Sequence, residues 1–315
     1  MKVLLAGATG ALGRQLVPKL LAAGHEVAGM TRSESRRQAV LDLGATPVVA
    51  DALDAGQVER AVAETEPEAI LHELTALTGS LGKRNIDRSF VETNRLRTEG
   101  TDNLLAASRA AGVRRFLAQS FAGWPFARTG GPVKSEDDPL DPDPVPSMRQ
   151  THAAIRHLEQ AVTGADWTEG IVLRYGGFYG PGTSLGLDGG EHLELIRKRR
   201  LPVVGDGGGL WSFIHVEDAA DATVAALERG RRGIYNVVDD NPKPVREWLP
   251  EVAEVLGAKP PRRVPLWLGR LAAGEAAGVM MTEARGASNA KAKRELGWQP
   301  RYPSIRDGLA AARAA

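Results

Sequence analysis

Along the first part of the chain, apolar residues come in short unbroken blocks. Longer stretches in which they recur every three or four positions separate these blocks. A short continuous block fits a strand buried on both faces, and a three-to-four period fits an amphipathic helix. The pattern predicts strands at 3–6, 25–31, 47–50, 69–75, 115–120 and 169–174. Helices are expected at 14–23, around 36–43, from Asp54 onward, and at 94–111 and 149–162. Gly24, Gly44 and Gly112 stand where three of these helices should stop. Strict strand–helix alternation predicts an α/β fold built on a doubly wound parallel sheet of the Rossmann kind. Beyond Gly182 the rhythm loosens. Helical periods near 191–200, 216–228, 244–256 and 267–277 alternate with apolar runs at 202–205 and 233–238. We expect a main domain over 1–180 and a smaller α/β cap over 181–315. Segments near 213–240 should return to the main sheet.

The junction of the first strand and first helix carries the first chemical signal. Gly7, Gly10 and Gly13 are spaced by three, directly after the apolar run and directly before the helical period. The first glycine permits a tight turn, the second allows a pyrophosphate to approach the backbone, and the third lets helix and strand pack closely. Free N–H groups at the helix start attract the anion. The turn therefore predicts a dinucleotide site. The end of the second strand bears on which dinucleotide. An acidic residue there would hold the ribose hydroxyls of NAD, but Thr31 and Arg32 stand in that place, with Arg36 and Arg37 one turn on. A guanidinium suits the 2′-phosphate of NADP, so NADP is expected ahead of NAD. Surface arginines at a helix start are the plainer reading of the same residues. Asp51 lies at the carboxyl end of the third strand, where open sheets bind ligands. Asp54 and Gln57 have capping-box spacing and are read as structural. His72 lies inside the fourth strand without a second ligand at metal spacing and is read as a core histidine; no metal site is expected.

Composition narrows the class. The 315 residues hold 40 Lys and Arg against 39 Asp and Glu, a net charge of +1, which gives no case for nucleic-acid or membrane partners. The absence of cysteine excludes disulfides and thiolate chemistry. The first strand begins at Val3, leaving no room for a signal peptide, and no apolar run reaches spanning length. A cytoplasmic protein acting on a small molecule is expected.

Taken together, the motifs resemble the extended short-chain dehydrogenase/reductase family, the epimerase/dehydratase group. The resemblance rests on Gly7-Ala-Thr-Gly-Ala-Leu-Gly13, Asp51-Ala-Leu-Asp54, Ile70-Leu-His-Glu-Leu-Thr75, Asn94 with Gly100-Thr101 and Asn103, Tyr179-Gly-Pro-Gly182, Gly205-Asp-Gly207 and Phe213-Ile-His-Val-Glu-Asp218, in that order over nearly the whole chain. It implies that Gly7, Thr9, Gly10, Ala11, Leu12 and Gly13 hold the pyrophosphate half of the cofactor, and that Asp51 and Ala52 contact adenine. It further implies that Leu74, Thr75, Asn94, Gln119, His152, Tyr175 and Phe178 line the rest of the cofactor site. It also implies a homodimer through a four-helix interface formed by 94–111 and 148–162.

The departures from the family pattern bear on chemistry. The family's tyrosine, its lysine four residues later and a nearby hydroxyl are replaced by Met148, His152 and Phe121, and a thioether cannot donate a proton. Ser120 stands one position early. Gly177 and Trp211 replace the asparagine and arginine that hold a nucleotide sugar, and an indole cannot pair with a diphosphate. Phe121, Trp124, Gly177 and Trp211 are therefore expected to line a site for a small, weakly charged organic substrate, although such aromatics also serve as ordinary core. The reading is an atypical NADP-dependent oxidoreductase. Its proton source would be His152, then Tyr175, with Ser120 as an oxygen-binding hydroxyl; His152 could instead only hydrogen-bond ribose. A catalytically inactive NADP-binding sensor or scaffold, and a redox-neutral isomerase or lyase, stay open as alternatives.

Overall fold

The six apolar blocks and one later run pair as parallel strands. In the computed structural model, which describes residues 1–77 and 85–314, these are β1 (Lys2–Ala6), β2 (Glu26–Thr31), β3 (Thr46–Val49), β4 (Ala69–His72), β5 (Arg115–Phe121), β6 (Glu169–Tyr175) and β7 (Gly233–Val237). They lie in the order β3-β2-β1-β4-β5-β6-β7. β7 is the run from beyond Gly182 that returns to the sheet, pairing Ile234 with Val172 and Val237 with Tyr175. The chain leaves β1 towards β2 on one side and later returns to β4 on the other. Strand order thus reverses between β1 and β4, and the carboxyl ends of those two strands open a ligand crevice.

Period-two alternation sends successive strand residues to opposite layers. Leu5, Leu117, Leu173 and Tyr175 pack beneath α1 (Ala11–Ala22), whereas Leu4, Phe116, Ala118 and Val172 pack against the other layer of helices. Val40 of α2 (Arg37–Leu41) packs in the α1 layer, and the second layer contains α3 (Ala55–Thr65), α4 (Ile86–Ser89), α5 (Val91–Arg95), α6 (Thr101–Ala110) and α7 (Arg149–Gly164). After β6 come α8 (Glu191–Arg197), α9 (Val216–Arg229), α10 (Val245–Val255), α11 (Leu266–Thr282), α12 (Ala290–Leu296) and α13 (Ile305–Ala314). Of these, α9 packs on α1 under the sheet. Tyr179, Leu193, Phe213, Trp248, Leu249 and Leu309 form a separate apolar cluster. The predicted cap reaches 315, whose final residue lies outside the described residues.

One expectation is corrected. The single helix over 94–111 is interrupted by a π turn at Leu96–Gly100, between α5 and α6. The added residue lets buried Thr101 reach the His72 ring, 3.1 Å away. The loop after β5, which carries a proline-rich stretch at 139–146, is tied down at several points. Its Val133–Lys134 strand pairs with Gly286–Ala287, Arg128 bridges to Asp141 and Glu283, and Phe126 is buried. As read from spacing, Asp54 caps α3: its Oδ1 accepts from the Gln57 N–H at 3.0 Å.

Candidate active site

The site assembles at the carboxyl ends of β1, β4, β5 and β6. Gly7 has φ +105°, which glycine adopts without the cost a side chain would add. A Cβ on Gly13 would stand 2.3 Å from the Gly7 carbonyl oxygen, and one on Gly10 would stand 3.3 Å from it. The turn therefore tolerates no side chain at its tightest contact, and it leaves the first N–H groups of α1 open to a pyrophosphate. Gly182 borders Ala11 at the start of that helix, which brings the later glycine-rich segment onto the turn.

Around the adenosine end, Arg32 forms an ion pair with Glu92, and Arg36 Nη1 reaches the Thr9 hydroxyl at 3.5 Å. Of the two, Arg36 is the one in contact with the turn. Asp51 uses Oδ1 to accept from the Leu53 N–H at 2.9 Å, so the carboxylate shapes its own loop next to buried Ala52. Further along, Asn94 donates to Thr151 Oγ1 at 3.1 Å, while its buried Oδ1 has no partner among the described residues. That orphaned acceptor, the glycine cradle and the exposed helix start together fit a dinucleotide. Leu74 and Thr75 are half-buried where the chain leaves β4, and Gln119 is half-buried in β5.

At the other end of the crevice the proposed proton carriers separate. His152 is buried in α7, and its Nδ1 has no partner among the described residues. Burial is the largest influence on its pKa, which falls to about 4, so the imidazole is neutral at physiological pH. Its ring lies 5.4 Å from Trp124, and Trp124 lies 5.4 Å from Phe121. Met148 is buried in the 3-10 turn Pro146–Met148 just before α7. Ser120 faces α7 about two turns beyond His152, where its hydroxyl donates to Glu159 Oε1 at 2.7 Å. Glu159 in turn receives Nε and Nη2 of Arg174, each at 2.7 Å. The hydroxyl is thereby committed to a buried ion pair, and Ser120 drops out of the candidate site. Tyr175 is fully buried, 2.7 Å from Thr223 and 3.2 Å from Glu73, with its ring 5.3 Å from that of Phe178. Desolvation, then the nearby Glu73 carboxyl, pushes its phenol well above the ordinary value, so it gives up a proton poorly.

The remaining predicted contacts divide similarly. Trp211 donates to the Met280 carbonyl at 2.8 Å and stacks on Trp248, with centroids 5.2 Å apart. The space a side chain on Gly177 would take is bordered by the Phe213 ring at 3.3 Å, so neither residue joins the His152 cluster. His72 is a satisfied core histidine, 3.2 Å from the Leu96 carbonyl and 3.1 Å from Thr101. Glu73 is the residue that sequence reasoning passed over. Its signal was an acid placed directly after a buried apolar run.

Residues 3–238 match the model of the NAD dependent epimerase/dehydratase family. The chain belongs to that family. Among curated relatives, the 3-diazoavenalumate denitrifying reductase of a Streptomyces species is 46% identical over 310 residues, covering 98% of this chain and 99% of the relative. A 4-hydroxy-2-methyl-3-oxo-4-farnesyl-3,4-dihydroquinoline-1-oxide ketoreductase of Stigmatella aurantiaca is 29% identical, covering 82% of this chain and 74% of the relative. Among solved structures, the UDP-glucose 4-epimerase of Thermus thermophilus in complex with NAD has a TM-score of 0.72 at 26% identity, covering 98% of this chain and 97% of that one. With reductases among its relatives, this family member is an oxidoreductase, and its cofactor is a nicotinamide dinucleotide. No helix among the described residues is long and apolar enough to cross a membrane.

Proposed function

We propose that this enzyme is an NADPH-dependent reductase that removes dinitrogen from a small aromatic molecule bearing a diazo group. One observation carries the reading. The side chains gathered at His152 are an indole, a phenyl ring and an uncharged imidazole, and none is a ready proton donor. Carbonyl reduction creates an alkoxide that needs a proton, and this cluster is poorly equipped to supply one. A diazonium carries no such need. Held at the Gly7–Gly13 turn, a reduced nicotinamide dinucleotide would supply a hydride, which is two electrons with one proton. In the step R–N2+ accepts that hydride, a bond to hydrogen forms, the C–N bond breaks, and R–H, N2 and oxidised dinucleotide result. Charge balances without a proton from the protein. The π faces of Phe121 and Trp124 attract a cation, and a neutral His152 does not repel it. The 46% identity to a denitrifying reductase acting on a diazo compound supports the same reading.

The test is a single-turnover comparison of an aryl diazonium carrying a phenol with a panel of ketones, each with 4-deuterated NADPH. We expect deuterium in the R–H product and little ketone turnover. Ketone reduction outpacing diazonium loss, or a diazonium product without deuterium, would sink the proposal.

We also propose residues 181–315 as the substrate-binding cap and a homodimer through 94–111, which spans the end of α5, the π turn and α6, and 148–162, which lies largely in α7. Shallow grooves between those helices, lined by Leu105, Arg109, Ala161 and Trp167, suit a partner helix pair. The NADP preference rests on Arg32 and Arg36. A 2′-phosphate would compete with Glu92 for Arg32 and meet Arg36 beside Thr9. Charge-assisted hydrogen bonds contribute about 1.5–3 kcal/mol each. Arg36→Glu is therefore expected to weaken NADPH roughly tenfold to hundredfold while leaving NADH within about threefold. Thermal-shift titration with both nucleotides checks this, and stabilisation of the unaltered protein by NADH at least as strong as by NADPH rejects the preference.

A further inference from the structure

Two stretches beyond β6 carry basic residues and no acid. Residues 196–205 hold Arg197, Lys198, Arg199 and Arg200, and residues 255–274 hold Lys259, Arg262, Arg263 and Arg270. The fold sets them side by side. Val203–Val204 pairs with Arg263–Val264, the Val203 N–H donates to the Arg262 carbonyl at 2.8 Å, and Arg199 Nε donates to the Pro260 carbonyl at 2.8 Å. Arg197 and Lys198 share Glu194, and Arg270 meets Glu283. Arg200, Lys259, Arg262 and Arg263 are exposed and pair with no acid among the described residues. The net charge of +1 conceals this face, because without these eight residues the rest of the chain is net negative. The same junction bears an exposed apolar face. α11 breaks at Gly274, where φ is +86°, and its halves fold back on each other. Thr282 and Leu266 lie 2.9 and 3.4 Å from where a Cβ on Gly205 would stand. The second half is buried through Ala276, Val279 and Met281. In the first half Gly269 is buried against Val204, which pairs with Val264, while Trp267, Leu268 and Leu271 are 67%, 38% and 60% exposed. Three of the seven large apolar side chains exposed among the described residues thus fall within five positions, beside the basic strand.

We propose that this face docks the enzyme on an anionic lipid bilayer, with Trp267, Leu268 and Leu271 entering the headgroup region and the neighbouring arginines and lysines resting on lipid phosphates. Two features favour that occupant. Side chains as exposed as Trp267 and Leu271 stand proud of the surface. A deformable bilayer accepts them as they are, whereas a folded partner accepts them only with a matching groove. One tryptophan and two leucines on a short helix, with lysine and arginine around them, also match the composition of a helix lying in a membrane interface. Each basic residue that reaches the surface contributes about fivefold in affinity. The same lipids repel the net-negative remainder of the chain, which turns the basic face towards them. Such docking needs no membrane-spanning helix, and it is independent of the reaction proposed above.

The experiment is co-sedimentation of the whole protein with vesicles of phosphatidylcholine alone and of phosphatidylcholine with about one-third phosphatidylglycerol, at low salt and at about 0.5 M salt. We expect binding to the anionic vesicles only, weakened by the higher salt. Arg262→Gln with Arg263→Gln should weaken it roughly twentyfold to thirtyfold, and Trp267→Ala about tenfold. Equal binding to neutral vesicles, binding to neither, or anionic binding unchanged in the double arginine variant overturns the proposal. So does binding unchanged in Trp267→Ala, or displacement from the vesicles by duplex DNA at equal phosphate concentration, since either result makes the face a general polyanion patch. Should a variant not fold, the two vesicle compositions and the salt comparison on the unaltered protein decide.

Discussion

Replacing Glu159 with alanine is expected to destabilise the protein by about 3–5 kcal/mol, because it strands a charge in the interior. Arg174 is 3% exposed and Glu159 5%, and the guanidinium meets both carboxylate oxygens at 2.7 Å. The third partner is the Ser120 hydroxyl, and the Phe126 ring covers the guanidinium at 5.3 Å. Arg174 Nη1 already lacks a partner among the described residues, so no spare acceptor stands by to replace the lost carboxylate. A buried pair removed from one side only keeps the desolvation cost of the remaining ion and loses the attraction that offset it. Replacing both partners by leucine should recover much of the loss, since no isolated charge remains. Urea unfolding of Glu159→Leu, Arg174→Leu and the double leucine variant forms a cycle that reads the coupling directly. Additive losses in that cycle would mean that the pair is not coupled. The consequence reaches function because this network ties β5, α7 and β6 together directly behind His152 and Phe121.

Gly13→Ala should be comparably severe and should act on the cofactor. The added Cβ would sit 2.3 Å from the Gly7 carbonyl oxygen and 2.6 Å from the Ala8 carbonyl carbon and oxygen, all backbone atoms that no rotamer change can move aside. The turn must shift, and overpacking of this sort costs about 1–3 kcal/mol before any ligand is considered. Displacing the N–H groups that face a pyrophosphate adds a loss in binding, and together we expect NADPH to weaken by about hundredfold or more. Gly164→Ala is the matched control, because nothing lies within 4 Å of its added Cβ and its backbone needs no positive φ. Nucleotide titration and thermal unfolding of both variants check the contrast. Gly13→Ala behaving like Gly164→Ala would show that the turn can relax.

Much of the molecule was legible before any coordinate. The strands, the glycine turn, the Asp54–Gln57 cap and the satisfied role of His72 all follow from contacts between near neighbours or from burial on a two-residue period. The displacement of Ser120 from the site was likewise readable as a one-residue offset, because in a strand one residue changes the face. The partner it would find, Glu159, was not readable. The π turn after Asn94 was hidden because a single extra residue barely disturbs a helical period.

The sequence by itself determined the doubly wound sheet and the dinucleotide turn, and it put forward Met148, Phe121 and His152 as candidates for the site. Tertiary structure alone decided what those side chains became. It brought Glu73 to Tyr175 across 102 positions and Tyr175 to Thr223 across 48, and it gathered Phe121, Trp124 and His152 into one uncharged cluster. Periodicity fixes which face a residue takes. The charge state of a buried acid or imidazole depends on what distant strands and helices set against it, and only packing supplies that.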